Sequence, residues 1–151
     1  MVGIINRLQS ARSLLNWLKT VDGSGSGLDA DTVDGAGYEV GTWTPTLTSS
    51  VGSITAGTCS GVYVKMGRHV DAWANLNITN AGTGSGALQS NLPVAPDFFT
   101  VGFGRENAVT GTMMQATLNI TNVVSILSYN NTYVGPTGAT FIMMYSYRSA
   151  S

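Results

Sequence analysis

The side chains that could carry chemistry in this sequence are few and far apart. There is one histidine, His69, and one cysteine, Cys59; beyond residue 37 the acids are Glu39, Asp71, Asp97 and Glu106. A cysteine nucleophile needs a base within hydrogen-bond reach and an environment that lowers its pKa. Cys59 instead sits in the turn-like string Gly57-Thr58-Cys59-Ser60-Gly61, and His69 heads a strand between Arg68 and Val70 with no partner implied by its surroundings. Glycan cleavage needs two carboxylates held roughly 5–10 Å apart, and the four acids are scattered along the chain. The run Gly82-Thr83-Gly84-Ser85-Gly86 lacks the lysine of a phosphate loop and reads as a plain loop. Asp29, Asp31 and Asp34 before Gly35 invite a calcium-loop reading, but the register fails. Val33 stands where an oxygen ligand is required, Asp34 where glycine is, and Val40 where the closing glutamate is. The expectation is a protein that is not an enzyme, with no metal and no cofactor.

Binding chemistry is better represented. Trp73 falls on the polar face of an alternating stretch, where it either packs against a neighbouring subunit or stays open to a ligand. The string Tyr129-Asn130-Asn131-Thr132-Tyr133 brackets two amides with two tyrosines, a candidate receptor loop for a neutral sugar. The simpler reading of the amides is a hairpin turn with Asn at positive φ. The sequons at Asn77, Asn119 and Asn130 are read as strand and turn residues, because the chain shows no secretory signal.

Charge narrows the partners. Only 10% of the 151 residues are charged, and the net charge is -1. A chain without a positive field has nothing to release counterions from a nucleic-acid backbone, so nucleic acid is excluded as a general partner. A lone cysteine excludes an intrachain disulfide, and no apolar run is long enough for membrane insertion.

Three zones must position these residues. Through residue 21, Ile4, Leu8, Ala11, Leu15 and Leu18 recur at alternating spacings of four and three, an amphipathic helix with a seam. A helix this short is marginal alone in water, so it buries its stripe against copies of itself, a partner's groove or its own domain. Residues 22–37 are rich in Gly, Ser and Asp and read as a linker. From residue 38 the period becomes two. Val70, Ala72, Ala74, Leu76 and Ile78 form one half-buried strand; Met114, Ala116, Leu118 and Ile120 form another. Thr42 to Leu47, Gly61 to Lys65, Thr100 to Phe103 and Val123 to Leu127 supply more. The run from Thr140 to Tyr147 carries bulk on both faces, which places it mid-sheet or at a subunit interface. These strands predict a mainly β head at 38–151, an antiparallel β-sandwich or jelly roll. The nearly identical strings Ala74 to Asn80 and Ala116 to Asn122 predict equivalent strands.

Two groups of residues resemble bacteriophage tail-fibre and spike proteins. One is the string from Leu18 to Asp31, similar to a connector of such fibres. The other is Gly41-Thr42-Trp43-Thr44-Pro45-Thr46-Leu47, then Gly61-Val62-Tyr63-Val64-Lys65-Met66-Gly67-Arg68-His69-Val70, then Asn91-Leu92-Pro93, similar to a β-sandwich at the distal end of fibres. The resemblance implies a structural virion protein made in a bacterial cytoplasm. It implies a homotrimer joined to other virion proteins through the N-terminal helix, whose head adheres to a host-surface glycan or protein. No long shaft is present, which favours a stubby spike or fibre tip, or a head fibre decorating the capsid. A glycan-cleaving depolymerase and a free lectin are the rival classes.

Overall fold

The computed structural model describes residues 32–33 and 36–151. The seam residues Ile4, Leu8, Ala11, Leu15 and Leu18, the connector string and most of the 22–37 stretch lie outside them. The chain divides into two compact units, Met1–Tyr38 and Glu39–Ser151. In the first, β1 (Thr32–Val33) pairs antiparallel with the start of β2 (Ala36–Trp43), setting Thr32 opposite Gly37.

The second unit is built from the rest of β2 and from β3 (Thr48–Val51), β4 (Ala56–Met66), β5 (His69–Asn80), β6 (Ser85–Ser90), β7 (Thr100–Glu106), β8 (Met113–Leu118), β9 (Val124–Ser128) and β10 (Thr140–Arg148). The expected mainly β, antiparallel architecture is present, and no helix occurs among the described residues. The sandwich of two packed sheets is not. The strands form one continuous sheet in the order β2-β4-β5-β10-β7-β8-β9-β6-β3, curled into a half-barrel.

Curling is what a single sheet with one apolar face requires, since a flat sheet would leave that face in water. The inner face collects Val70, Leu76 and Ile78 of β5, Phe141, Met143 and Tyr145 of β10, Leu118 of β8, Ile126 of β9 and Leu88 of β6, all buried. Polar links carry the pairing of β3 with β6 past both ends of its ladder. The Thr46 amide donates to Asn91 Oδ1 at 2.7 Å, and the Ser53 amide donates to Thr83 Oγ1 at 3.2 Å.

The inner face is unusual in where it puts its bulk. Ala72, Ala74, Gly102, Gly104 and Ala116 point inward, while Tyr145, Tyr63 and Trp43 fill the space above them. A Cβ on Gly104 would lie 2.3 Å from the Ile142 carbonyl oxygen and 2.4 Å from Met143 Sδ. Small residues are what let the central strands approach these rings.

Several strand boundaries depart from the sequence reading. The string Gly57 to Gly61, expected as a turn before a strand from Gly61, lies within β4, which starts at Ala56 and carries Cys59 in its ladder opposite Leu76. The stretch from Thr42 to Leu47 straddles the end of β2 and the irregular residues 44–47. The alternation ending at Ile120 stops at Leu118, where the Asn119 side chain takes the chain out of the sheet: its Oδ1 accepts the amides of Thr121 and Val123, each at 3.0 Å. The Gly82 to Gly86 run is a turn that enters β6 at Ser85.

Candidate functional site

The hairpin between β9 and the residues after it forms as the Asn-rich string dictates. Asn131 adopts φ +63, its amide donates to the Ser128 carbonyl at 2.9 Å, and the Ser128 amide donates to the Thr132 carbonyl at 3.1 Å. The positive-φ Asn turn expected from sequence is therefore present, at Asn131. Beneath it, the hydroxyls of Ser128 and Thr132 lie 2.6 Å apart, and both donate to Asn130 Oδ1. Gln115 Nε2 donates to Asn131 Oδ1 at 2.7 Å. These bonds fix the turn and aim the side chains that flank it.

What the turn builds is one wall of a cleft of about 500 Å³ lined by Tyr129, Asn130, Thr132, Tyr133 and Pro136, with Thr110 and Thr112 supplied by the loop between β7 and β8. Three of the residues singled out from sequence, Tyr129, Asn130 and Tyr133, thus meet in one cleft. Asn131 does not line it, being engaged by Gln115. The two tyrosines differ in role. Tyr129 is 75% exposed, a free ring face. Tyr133 packs against the core and donates its hydroxyl to the Gly135 carbonyl at 3.0 Å, so it is a wall. Every lining side chain is uncharged, and each hydroxyl or amide can donate or accept.

The wall that carries Thr110 and Thr112 is held by a residue that sequence reasoning weighed only as one of four scattered acids. Glu106 ends β7 with its side chain inward and is fully buried. Its carboxylate accepts the amides of Ala108 at 2.7 Å, Val109 at 3.0 Å, Gly111 at 3.2 Å and Thr140 at 3.1 Å. It also accepts the Thr110 amide, and the Thr110 hydroxyl at 2.9 Å. Burial alone would raise its pKa; the backbone donors of Thr110, Ala108, Thr140 and Val109 outweigh burial and hold it well below the ordinary carboxylate range. The loop 107–112 is thereby wrapped around a buried charge and tied to the start of β10. The signal that could have found Glu106 is its place two residues after Gly104 on the same strand face, followed by a loop of small residues.

The other chemistry-bearing residues are dispersed. Cys59 and His69 sit on adjacent antiparallel strands, but their cross-strand partners, Leu76 and Met66, put them seven residues apart along the sheet. At ~3.4 Å per residue that is roughly 24 Å, far beyond hydrogen-bond reach. Burial pushes the Cys59 thiol pKa up, against a smaller opposite effect of a backbone hydrogen bond from Asn77. Among the described residues each remaining acid meets its own partner. Glu39 accepts the Tyr63 hydroxyl, Asp71 pairs with His69 at 3.2 Å, and Asp97 pairs with Arg68 at 2.8 Å and Arg148 at 3.1 Å. Among the described residues no group of three His, Cys, Asp or Glu side chains is placed to hold a metal ion.

Trp73 lies away from the cleft, on the outer face of β5, 39% exposed. It borders a second, shallower hollow of about 430 Å³ with Trp43, Thr44, Ser60 and Val62.

No family model and no curated protein matches the chain. Among solved structures, the crystal structure of the Dettilon tailspike protein (gp208) is similar, with a TM-score of 0.55 and 17% sequence identity over 74% of this chain. The likeness lies in the fold. The chain corresponds to 24% of the length of that tailspike.

Proposed function

We propose that this chain is a structural component of a phage virion, a homotrimeric spike or fibre attached to the particle through its N-terminal helix, with the curled-sheet head bound to the host surface. The observation that carries the adhesive role is the cleft itself. It offers an open tyrosine ring, three threonines and an asparagine, without a charge, on a rigid frame. That is the chemistry of a neutral sugar face, which presents C–H groups to an aromatic ring and hydroxyls to neutral donors and acceptors. The fold shared with part of a tailspike supports the setting.

In this reading the head binds without cleaving. No carboxylate lines the cleft, and Glu106, the acid behind its wall, is wholly engaged by its own loop, so no acid or base stands where a sugar would lie. The test is binding of the purified full chain to an array of bacterial surface polysaccharides, with reducing-end release followed in parallel. Retention of a neutral polysaccharide that is weakened in Tyr129→Ala supports the assignment. Sustained reducing-end release would replace it with a depolymerase, and retention unchanged by Tyr129→Ala would remove the cleft.

A further inference from the structure

The outer face of the sheet carries an apolar row that the cleft does not use. Through the strand registers, Val62 of β4 stands opposite Trp73 of β5, Trp73 opposite Met144 of β10, and Met144 opposite Phe103 of β7. One row over, Ile142 faces Arg105, which faces Met113 of β8. Val62, Trp73, Val101, Phe103, Met113 and Ile142 are all exposed. Scaled by residue size, they leave roughly 600 Å² of apolar side chain in water, at the top of the ~300–600 Å² range of the largest patch on a typical monomer.

The strands put their bulk on the wrong side for a free monomer. On β7, Gly102 and Gly104 point inward while Val101 and Phe103 point out; on β5, Ala72 and Ala74 flank an outward Trp73. The centre of this face holds Trp, Phe, Met and a single Arg, with no Lys or Glu, which is the composition of an interface core. A near-neutral face also meets a copy of itself without like-charge repulsion.

Curvature selects the symmetry. Because the sheet curls around its core, this face is convex, and two convex faces set against each other touch only along a ridge. Three of them around an axis can bury both flanks. We infer that this face joins three copies of the chain around an axis running along β10, so that Trp73 of each copy packs against Phe103 of the next. The inference rests on the trimeric reading above and adds that the head itself, apart from the helix, holds the trimer. The contact is head-to-tail and closes.

A cysteine pair tests it in the full chain. In a Cys59→Ser background, Trp73→Cys with Phe103→Cys places two thiols two strands apart within one copy, about 10 Å, beyond the ~7 Å a disulfide spans. Mild oxidation should therefore give a covalent trimer on a non-reducing gel, and either single-cysteine variant should stay a monomer there. A covalent dimer from Trp73→Cys alone would mean that the face meets itself about a two-fold axis, which overturns the arrangement. If the parent chain sediments as a trimer but the pair does not cross-link, the interface is wrong and the trimer stands; if the parent sediments as a monomer, both fail. Independently, Phe103→Glu, at an exposed position, should raise the concentration of half-dissociation at least tenfold by sedimentation, and no change would equally overturn the proposal.

Discussion

The buried carboxylate of Glu106 accepts both the amide and the hydroxyl of Thr110, the latter at 2.9 Å, so a charge at the end of the core sets the position of a residue that faces the cleft. Site and core are one construction at this point, and disturbing the core here should be felt in the site.

Glu106→Gln keeps the size of the side chain but replaces one acceptor oxygen with a donor, turning it against several amides. Losing charge-assisted bonds and leaving buried donors unpaired should cost about 2–4 kcal/mol. Urea denaturation should show a lower midpoint with an unchanged slope. Because loop 107–112 carries Thr110 and Thr112, glycan binding should weaken as well.

The same group sets an acid limit. Its pKa is lower folded than unfolded, so its contribution to stability is complete above the unfolded value of about 4.3 and is lost progressively as pH falls toward the folded value. The difference in melting temperature between the parent and Glu106→Gln should be constant from pH 8 to 6 and narrow below pH 4. A difference that grew on acidification would contradict this assignment.

Tyr129 stands clear of the core, and Tyr129→Ala should leave stability within about 0.5 kcal/mol of the parent. Removing one ring face should weaken binding of a neutral oligosaccharide roughly five- to tenfold, the equivalent of about 1 kcal/mol of aromatic contact. Calorimetric titration beside thermal melting separates the two effects.

Two neighbouring tyrosines on β10 should respond oppositely. The Tyr145 hydroxyl is buried without a partner, whereas the Tyr147 hydroxyl donates to the Val94 carbonyl at 2.8 Å. Tyr145→Phe should be neutral or stabilising by up to about 1 kcal/mol, and Tyr147→Phe should cost about 1–2 kcal/mol. Equal losses in both would contradict the hydrogen bonding described.

Gly104→Ala should cost about 3 kcal/mol, because its Cβ would meet the Ile142 carbonyl oxygen at 2.3 Å, an atom of the neighbouring strand that cannot swing away. Hydrogen exchange should show the loss concentrated in β7 and β10.

Much of the site was legible in the sequence because turns are local. The Asn-rich string between two tyrosines specifies its own hairpin, so Tyr129, Asn130 and Tyr133 belong together on residue type and spacing alone. Thr110 and Thr112 do not, because they reach the cleft only through the pairing of β7 with β8 and the anchoring by Glu106. Trp73 was legible as an anomaly on a polar face. That it shares a row with Met144 and Phe103 follows from register, which distant parts of the chain decide.

The near-identical strings Ala74 to Asn80 and Ala116 to Asn122 mark where sequence alone stops. By itself the sequence determined a β-rich, weakly charged chain, the alternation of its strands and its Asn and Gly turns, since all of these depend on side-chain type and on neighbours a few residues away. Only the tertiary structure decided that Ile78 is fully buried while its counterpart Ile120 is 53% exposed. Asn77 lies between β4 and β10, opposite Thr58 and Thr140, so the ladder on both sides carries its strand onward. Asn119 has left the sheet, and its side chain caps its own turn instead. The same residues extend where long-range pairing satisfies the backbone on both sides, and turn where local hydrogen bonds must do so.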